Sequence, residues 1–453
     1  MKNLFTLFLV AVCCSCATLD KTENPFKVKL MSLDPGHFHS ALVQKSMYAD
    51  VDSVVNLYAP EGEEVQDYLA KIEGYNNRAE DPTHWKVDQY IGEDFFEKML
   101  EQKPGNVMNV SGKNSKKIDY ILESIKAGIN VYADKPLVIN KEGFEKLKEA
   151  FKIAEEKNLM LYDIMTERFD VTTALQKELS MDENLFGKLV DGTLEEPAIS
   201  KVSVHHFYKY VSGSPLKRPS WFFDIAEEGA GIVDVTTHLV DLVQWEAFPE
   251  QVIETSDIEM LTAKQWPTSL SKDQFTRVTQ KDDFPAFLSK DIDDNGNLQV
   301  LCNGEMNYKI KGKHAQVSVV WNYEAPEGTA DTHFSVMRGS KCELIIKQGA
   351  EEGFKPILYV QAVDDNTEAN LTKIISEQID QRLKGVSVEK VGVGLWKVNI
   401  PDQYKIGHEA HFAQVTENFL KYFNEGKLPA WEIPNMITKY YTTTTALEMA
   451  TQK

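Results

Sequence analysis

The sequence predicts two α/β units in tandem: an N-terminal, doubly wound parallel sheet of the dinucleotide-binding (Rossmann) kind, then an α+β unit with an open, mainly antiparallel sheet. Three observations predict this. Between residues 27 and 163, short apolar runs alternate with amphipathic helical stretches and turn signals, the pattern of strand–helix–strand units. Beyond residue 163 long alternating stretches take over, which suit antiparallel strands with one wet face. The chain also has 453 residues, more than one hydrophobic core usually holds.

A targeting segment stands ahead of both units. Lys2 gives a positive start, and Leu4 to Val12 is an apolar run too short to span a bilayer as an anchor. Cys13, Cys14 and Cys16 follow. The segment resembles a bacterial lipoprotein signal, with Cys16 as the lipidated residue after the small Ser15. No twin arginine precedes the run, so Sec export is implied. The expected location is outside the cytoplasm, lipid-anchored on the periplasmic or outer-membrane face. Residues 1–16 form the signal and lipidation region and 17–26 a tether.

The first unit spans 27–163. Val28 to Leu33 reads as a strand and Asp34-Pro35-Gly36-His37 as a turn. His39 to Tyr48 suits a helix, Val51 to Tyr58 a strand and Glu63 to Ile72 a helix. Asn106 to Ser111 is a strand, and Lys116 to Ala127 a helix that Gly128 ends as a C-cap. Ile129 to Ala133, Gly143 to Lys157 and Leu159 to Asp163 complete the alternation. Ligands of such sheets bind beyond the carboxyl ends of the strands, where the unusual turns fall.

The second unit spans 164–453. A helix covers Asp170 to Leu179. Strands are expected at 199–210, 299–301, 305–310, 316–322, 333–338 and 342–347, and a helix at Gly231 to Ala247. The polar stretch 264–296 reads as an insertion loop. His408 to Glu425 and Asn435 to Thr451 are closing helices.

Composition narrows the partners. Hydrophobic residues make up 42% and charged residues 26%, ordinary for a globular protein. The net charge of -20, from 49 basic and 69 acidic residues, argues against nucleic acid and against an anionic membrane surface. The membrane is met only through the N-terminal lipid. Cys302 and Cys342 make no metal pattern and read as two small buried residues. His408-Glu409-Ala410-His411 is one residue short of the zincin spacing, so it reads as helix surface, and no metal is expected.

On the helix predicted at 231–247, Asp234, Thr237, His238 and Asp241 fall at i, i+3, i+4 and i+7, a polar stripe among Ile232, Val233, Val235, Leu239 and Val240. Acids and a histidine on so apolar a helix are costly unless paired or turned to a polar cavity. An alcohol oxidised by hydride loss must also lose a proton, and histidine is the first candidate base. Asp234 or Asp241 can orient its ring. Lys135, at a strand's carboxyl end, can polarise a hydroxyl or carbonyl oxygen.

Three stretches carry a family resemblance. Ala133-Asp134-Lys135-Pro136-Leu137 looks like the Glu-Lys-Pro signature of the glucose-fructose oxidoreductase / inositol dehydrogenase (Gfo/Idh/MocA) family, with Asp for Glu. Glu228-Gly229-Ala230-Gly231, followed by Asp234 to Asp241, resembles its glycine-rich entry and Asp-x-x-x-His-x-x-Asp. Thr166-Glu167-Arg168-Phe169-Asp170, with Gly187 downstream, resembles its Arg-Phe opening. The resemblance implies an NAD(P)-dependent oxidoreductase acting on a sugar, sugar derivative or cyclitol. It implies that Lys135, Asp234 and His238 line the nicotinamide and sugar site. Arg168, His206, Trp221 and Asp241 are candidate sugar contacts, and because His205 and His206 are adjacent in a strand, at most one of them faces any single site. Cofactor contacts would come from Asp34, Gly36, His37, Phe38, Ala59, Gly112, Lys113, Asn114, Asp134 and Pro136. The family's Gly-x-Gly-x-x-Gly is degenerate here: only Gly36 survives, and Ala59-Pro60 stands where a ribose-binding acid belongs. A glycosidase-like enzyme that retains NAD, and a sugar-binding lipoprotein without cofactor, are the alternatives. Pairing of two copies through the open sheet is also expected.

Overall fold

The structure, a computed structural model, describes residues 27–211, 214–364 and 366–452. The expected signal segment, Cys16 and the tether 17–26 lie outside the described residues.

Six parallel strands form the first sheet: β1 (Leu30–Leu33), β2 (Val54–Ala59), β3 (Lys86–Ile91), β4 (Val107–Val110), β5 (Asn130–Asp134) and β6 (Leu161–Ile164). Their order, β3-β2-β1-β4-β5-β6, reverses between β1 and β4. Such a reversal leaves a crevice above the strand ends. The helices are α1 (His39–Leu42), α2 (Glu63–Asn77), α3 (Phe95–Gln102), α4 (Asn114–Lys126) and α5 (Lys141–Lys157). Gly128 ends α4 at φ 87°, and Asn140 caps α5 by accepting the Gly143 N–H. The helix expected over 39–48 is a single turn. The sequence reading missed β3 and α3, because β3 is a largely exposed edge strand without an apolar run.

The second sheet has nine strands: β7 (Ile199–Tyr208), β10 (Ile258–Leu270), β11 (Leu298–Ile310), β12 (Lys313–Glu324), β13 (Thr332–Arg338), β14 (Cys342–Lys347), β15 (Ile357–Ala362), β16 (Ser387–Gly392) and β17 (Leu395–Asn399). They run β10-β11-β12-β7-β13-β14-β15-β17-β16. Every pairing is antiparallel except β7 with β12. Tyr210–Val211 (β8) and Ser214–Pro215 (β9) make a separate ribbon. Helices α6 (Val171–Ser180), α7 (Thr236–Ala247) and α12 (Glu432–Thr451) pack on the sheet; α8 (Lys272–Thr279), α9 (Thr367–Ile374), α10 (Asp380–Arg382) and α11 (His408–Glu425) complete the set.

Several expectations need correction. The supposed insertion at 264–296 is ordered secondary structure: the end of β10, then α8, then a 3-10 turn at Ala286–Asp291. Its polar residues lie on the wet face of an edge strand and in a capping box, where Ser271 accepts from Gln274 N and the Gln274 side chain returns to Ser271 N. The separate strands at 299–301 and 305–310 are one strand. The helix expected from Gly231 starts only at Thr236. Gly231 donates to Leu301 O, and its Cα lies so close to Cys302 that an added Cβ would stand 1.6 Å from the Cys302 carbonyl oxygen. Strand β11 thus holds 231–235 out of the helix.

The closing helices do not belong to the second unit alone. Phe412, Val415 and Phe419 of α11, with Met436 and Tyr440 of α12, join the first sheet's core. Phe419 stacks on Tyr132 at 4.5 Å, and Tyr132 Oη pairs with Thr416 Oγ1 at 3.1 Å. The C-terminal helices therefore tie the two units together. Among the described residues no helix is long and apolar enough to cross a membrane.

Candidate active site

The site begins where β5 ends. Asp134 closes the strand, and Lys135 follows on a cis peptide to Pro136. The Lys135 ammonium sits 2.6 Å from Asp234 Oδ1, across the two units. Asp234 stands in the turn that Gly229 and Gly231 allow; Gly229 has φ 97°, and an added Cβ would strike Ile139. His238 lies in the first turn of α7. Lys135, Asp234 and His238 are thus brought to one place, but Asp234 precedes the helix and does not share its face.

Electrostatics assigns each a state. Burial presses against the Lys135 charge, but Asp234, Asp134 and Glu228 outweigh it and hold the pKa above the ordinary lysine value. Lys135 is a firm cation. Burial, reinforced by the Lys135 ammonium and by His408, pushes His238 well below the usual histidine value. Its ring is neutral at pH 7, and its buried Nδ1 has no hydrogen-bond partner. Burial, then Asp234, raises Glu228 well above the usual carboxyl value, against the pull of Lys135, Lys117 and Arg218. Lys117 is fully buried and donates to Asn114 Oδ1 (2.5 Å), Asp134 O (3.0 Å) and Pro136 O (3.2 Å); burial brings its pKa down to about 8.

The turn after β1 contributes histidines. His39 Nδ1 lies 2.8 Å from Asp134 Oδ2, and His37 Nδ1 lies 3.7 Å from the same oxygen. Phe38 packs against both rings, which are themselves 4.1 Å apart, and His408 lies 5.3 Å from His39. The His408–His411 run is therefore not helix surface. His408 faces the site, His411 is buried, and Glu409 pairs with Lys45.

The same turn decides whether a dinucleotide fits the crevice. A pyrophosphate needs free backbone N–H groups. Here Gly36 N donates to Asp34 O (2.8 Å) and His37 N to Ser111 O (3.1 Å). Gly36 is small for protein packing, since an added Cβ would touch Gly112 Cα and the Trp221 ring, both at 3.4 Å. At the start of α4, Asn114 N and Ser115 N donate to Glu227 O, Ser115 Oγ binds the Glu227 carboxylate, and Asn114 Nδ2 holds Glu228. Segment 221–229 of the second unit thus supplies the acceptors an anion would supply. Asp34, whose pKa burial raises against the pull of Lys113, adds a further acid. Ala59 is buried at the end of β2 and offers a ribose nothing beyond its backbone. The residues of this crevice do not fit a pyrophosphate.

The sugar-contact candidates scatter. Arg168 grips Asp241 with two nitrogens at 2.6 and 2.7 Å and Glu432 at 2.7 Å. Lys439 joins Asp241 (2.9 Å) to Asp163 (2.8 Å). Arg168 and Asp241 are committed to this buried network, a correction to their reading as sugar contacts. His206 Nδ1 lies 3.3 Å and His205 Nδ1 3.0 Å from the Asp331 carboxylate, which also pairs with Lys209. Their adjacency in a strand did not separate them. Asp331 precedes β13, beside β7, and its carboxylate lies at the strand's flank, reachable from both faces. Trp221 is buried between the units with its indole N–H unpartnered. Sequence reasoning did not single out Glu228, Lys117 or Glu167. Burial, then Asp170 and Asp331, raises Glu167 to about 7. Only its place beside Arg168 pointed to it.

A reversed parallel sheet with an open mixed sheet behind it gives the two-unit fold of the Gfo/Idh/MocA kind. The chain belongs to the oxidoreductase family described as "Putative oxidoreductase C terminal domain", whose model matches residues 175–451. A crystal structure of a "putative oxidoreductase" from Parabacteroides merdae ATCC 43184 is 54% identical, covers 94% of this chain and 98% of its own, and superposes with a TM-score of 0.91. Two remoter structures share the fold. Levoglucosan dehydrogenase in complex with NADH is 12% identical, covering 93% of this chain and 96% of its own, with a TM-score of 0.61. A "putative myo-inositol dehydrogenase" from Sinorhizobium meliloti 1021 is 13% identical, covering 93% and 97%, with a TM-score of 0.54. No curated protein matches.

Proposed function

We propose that this oxidoreductase interconverts a hydroxyl and a carbonyl on a sugar, sugar derivative or cyclitol at the Lys135–Asp234–His238 grouping. The observation that carries the reading is a lysine ammonium pinned at 2.6 Å by Asp234, near a histidine with an unpartnered nitrogen. Lys135 donates to the substrate oxygen and stabilises the alkoxide or polarised carbonyl that forms there. Asp234 holds the ammonium in place. His238 Nδ1 accepts the hydroxyl proton or returns it. Its lowered pKa makes it a relay that hands the proton on, not one that stores it. The hydrogen on the reacting carbon leaves with two electrons to a two-electron acceptor supplied from solution; the remote fold relative with NADH makes NAD(P) the first such acceptor to test, although the closed crevice offers it no phosphate cradle. The test is oxidation and reduction of a panel of sugars and cyclitols with NAD⁺, NADP⁺, their reduced forms and a dye acceptor. Turnover of at least one member is expected and should vanish in Lys135→Met. No turnover with any carrier, despite binding of a panel member, would overturn the reading.

The filled crevice favours a second reading, a sugar-binding protein without turnover, which predicts that last outcome. Export and lipid anchoring through Cys16 are part of the proposal. Radiolabelled palmitate should enter the chain in bacterial cells and be lost in Cys16→Ser; labelling unchanged by that substitution would remove Cys16 as the anchor.

A further inference from the structure

Beside Lys135 in the chain, Asp134 meets two histidines that the proton chemistry above does not use. His37 Nδ1, His39 Nδ1 and an Asp134 carboxylate oxygen all lie within 4.8 Å of one another. A hydrogen bond accounts for one of these contacts, His39 to Asp134 at 2.8 Å. It does not account for the other. His37 Nδ1 lies 3.7 Å from the carboxylate oxygen, beyond hydrogen-bond reach, with the His39 backbone N–H 3.4 Å away. The three donor atoms converge on one small space, and no hydrogen bond joins His37 to Asp134 across it.

We propose that His37, His39 and Asp134 form a binding site for a divalent transition cation of the zinc class. The donor set carries the choice of metal. Two imidazoles and one carboxylate suit Zn²⁺, Co²⁺ or Fe²⁺, whereas Mg²⁺ and Ca²⁺ prefer oxygen ligands. Tetrahedral bonds of about 2.0–2.1 Å put neighbouring ligand atoms about 3.3 Å apart. Two of the three separations, 2.8 and 3.7 Å, bracket that spacing, and the third is no longer than 4.8 Å. Outer groups hold the donors: Lys117 binds the Asp134 carbonyl, and His408 and Phe412 pack on the His39 ring. The ammonium groups of Lys117 and Lys135 oppose a dication, and the carboxylate of Asp234 offsets them. Three protein donors leave a position open for water or a substrate oxygen.

The site departs from the sequence expectation of no metal because its donors are not contiguous. A His-x-His pair on one turn meets an aspartate 95 residues from His39. The inference does not rest on the proposed function, since binding is read directly.

The test is metal analysis of the purified full chain, together with titration by Zn²⁺ and by Co²⁺. One equivalent of zinc-class metal per chain is expected, with the visible d–d bands of cobalt held in a low-symmetry site and a rise in melting temperature on adding Zn²⁺. His37→Ala and Asp134→Asn should each lower affinity at least tenfold and abolish the bands, and the exposed control His84→Ala should change neither. His37 is only partly buried, so its variant keeps the test alive should Asp134→Asn fail to fold. Absence of stoichiometric Zn²⁺ or Co²⁺ binding by the wild-type chain would overturn the proposal. Binding that survives in His37→Ala and Asp134→Asn would overturn it equally.

Discussion

At the scale of single residues, the site works by fixed protonation states. Asp234 is the main partner that keeps the buried Lys135 charged. Asp234→Asn leaves the lysine with its desolvation and less opposing charge, so its pKa falls. The high-pH limb of sugar turnover should move to lower pH, and kcat should fall, by less than the roughly 10²- to 10³-fold that loss of the Lys135 donor itself would cost. Steady-state pH profiles check this; an unshifted limb would detach Asp234 from the role. His333 tests the electrostatics away from the site. Burial, aided by Lys201 and His205, lowers its pKa to about 3 and leaves its Nε2 without a partner. Its folded pKa lies below the unfolded value of 6.5, so below pH 6.5 the unfolded chain takes up a proton that the folded one refuses. His333→Gln should therefore remove up to about 1.4 kcal/mol per pH unit of acid destabilisation below 6.5. Urea unfolding of both proteins at pH 7.5 and 5.5 measures it, and parallel shifts would refute it.

At the scale of elements, two devices matter. One is the ion network in which Arg168 meets Asp241 and Glu432, while Lys439 bridges Asp241 and Asp163. It joins β6, α7 and α12, with no side chain of the network exposed. Removing one partner strands a charge, so Arg168→Leu should cost about 3 to 5 kcal/mol of unfolding free energy. A loss below about 1 kcal/mol would show the network to be dispensable. The other device is segment 221–229, which fills the crevice. NADH should give no saturable fluorescence change with the wild-type chain. The double variant Trp221→Ala, Glu227→Gln removes the ring and one anion, and should bind NADH more tightly. Saturable binding by the wild type would show that the segment moves aside.

At the scale of the whole molecule, α11 and α12 bind the two units into one cooperative body. They follow the second sheet in the chain, yet Phe412, Phe419 and Tyr440 complete the first core. A single calorimetric transition is expected; two separated transitions would contradict it. The alternation of runs up to residue 163, the Gly128 cap and the helix at 408–425 were legible in the sequence, because strand and helix periods are local properties of side-chain order. The grouping of Lys135 with Asp234 and His238 was legible through motif resemblance. The edge strands β3 and β10 were not, since half-exposed strands carry little apolar signal. By itself the sequence determined most elements of the first unit and which residues bear charge near the strand tips. Only the tertiary structure decided that β11 unwinds the start of α7, that Arg168 and Asp241 serve the core, that 221–229 closes the crevice, and that His37 and His39 converge on Asp134. Periodicity is written along the chain. Convergence depends on which distant backbone groups must find partners once the two cores close.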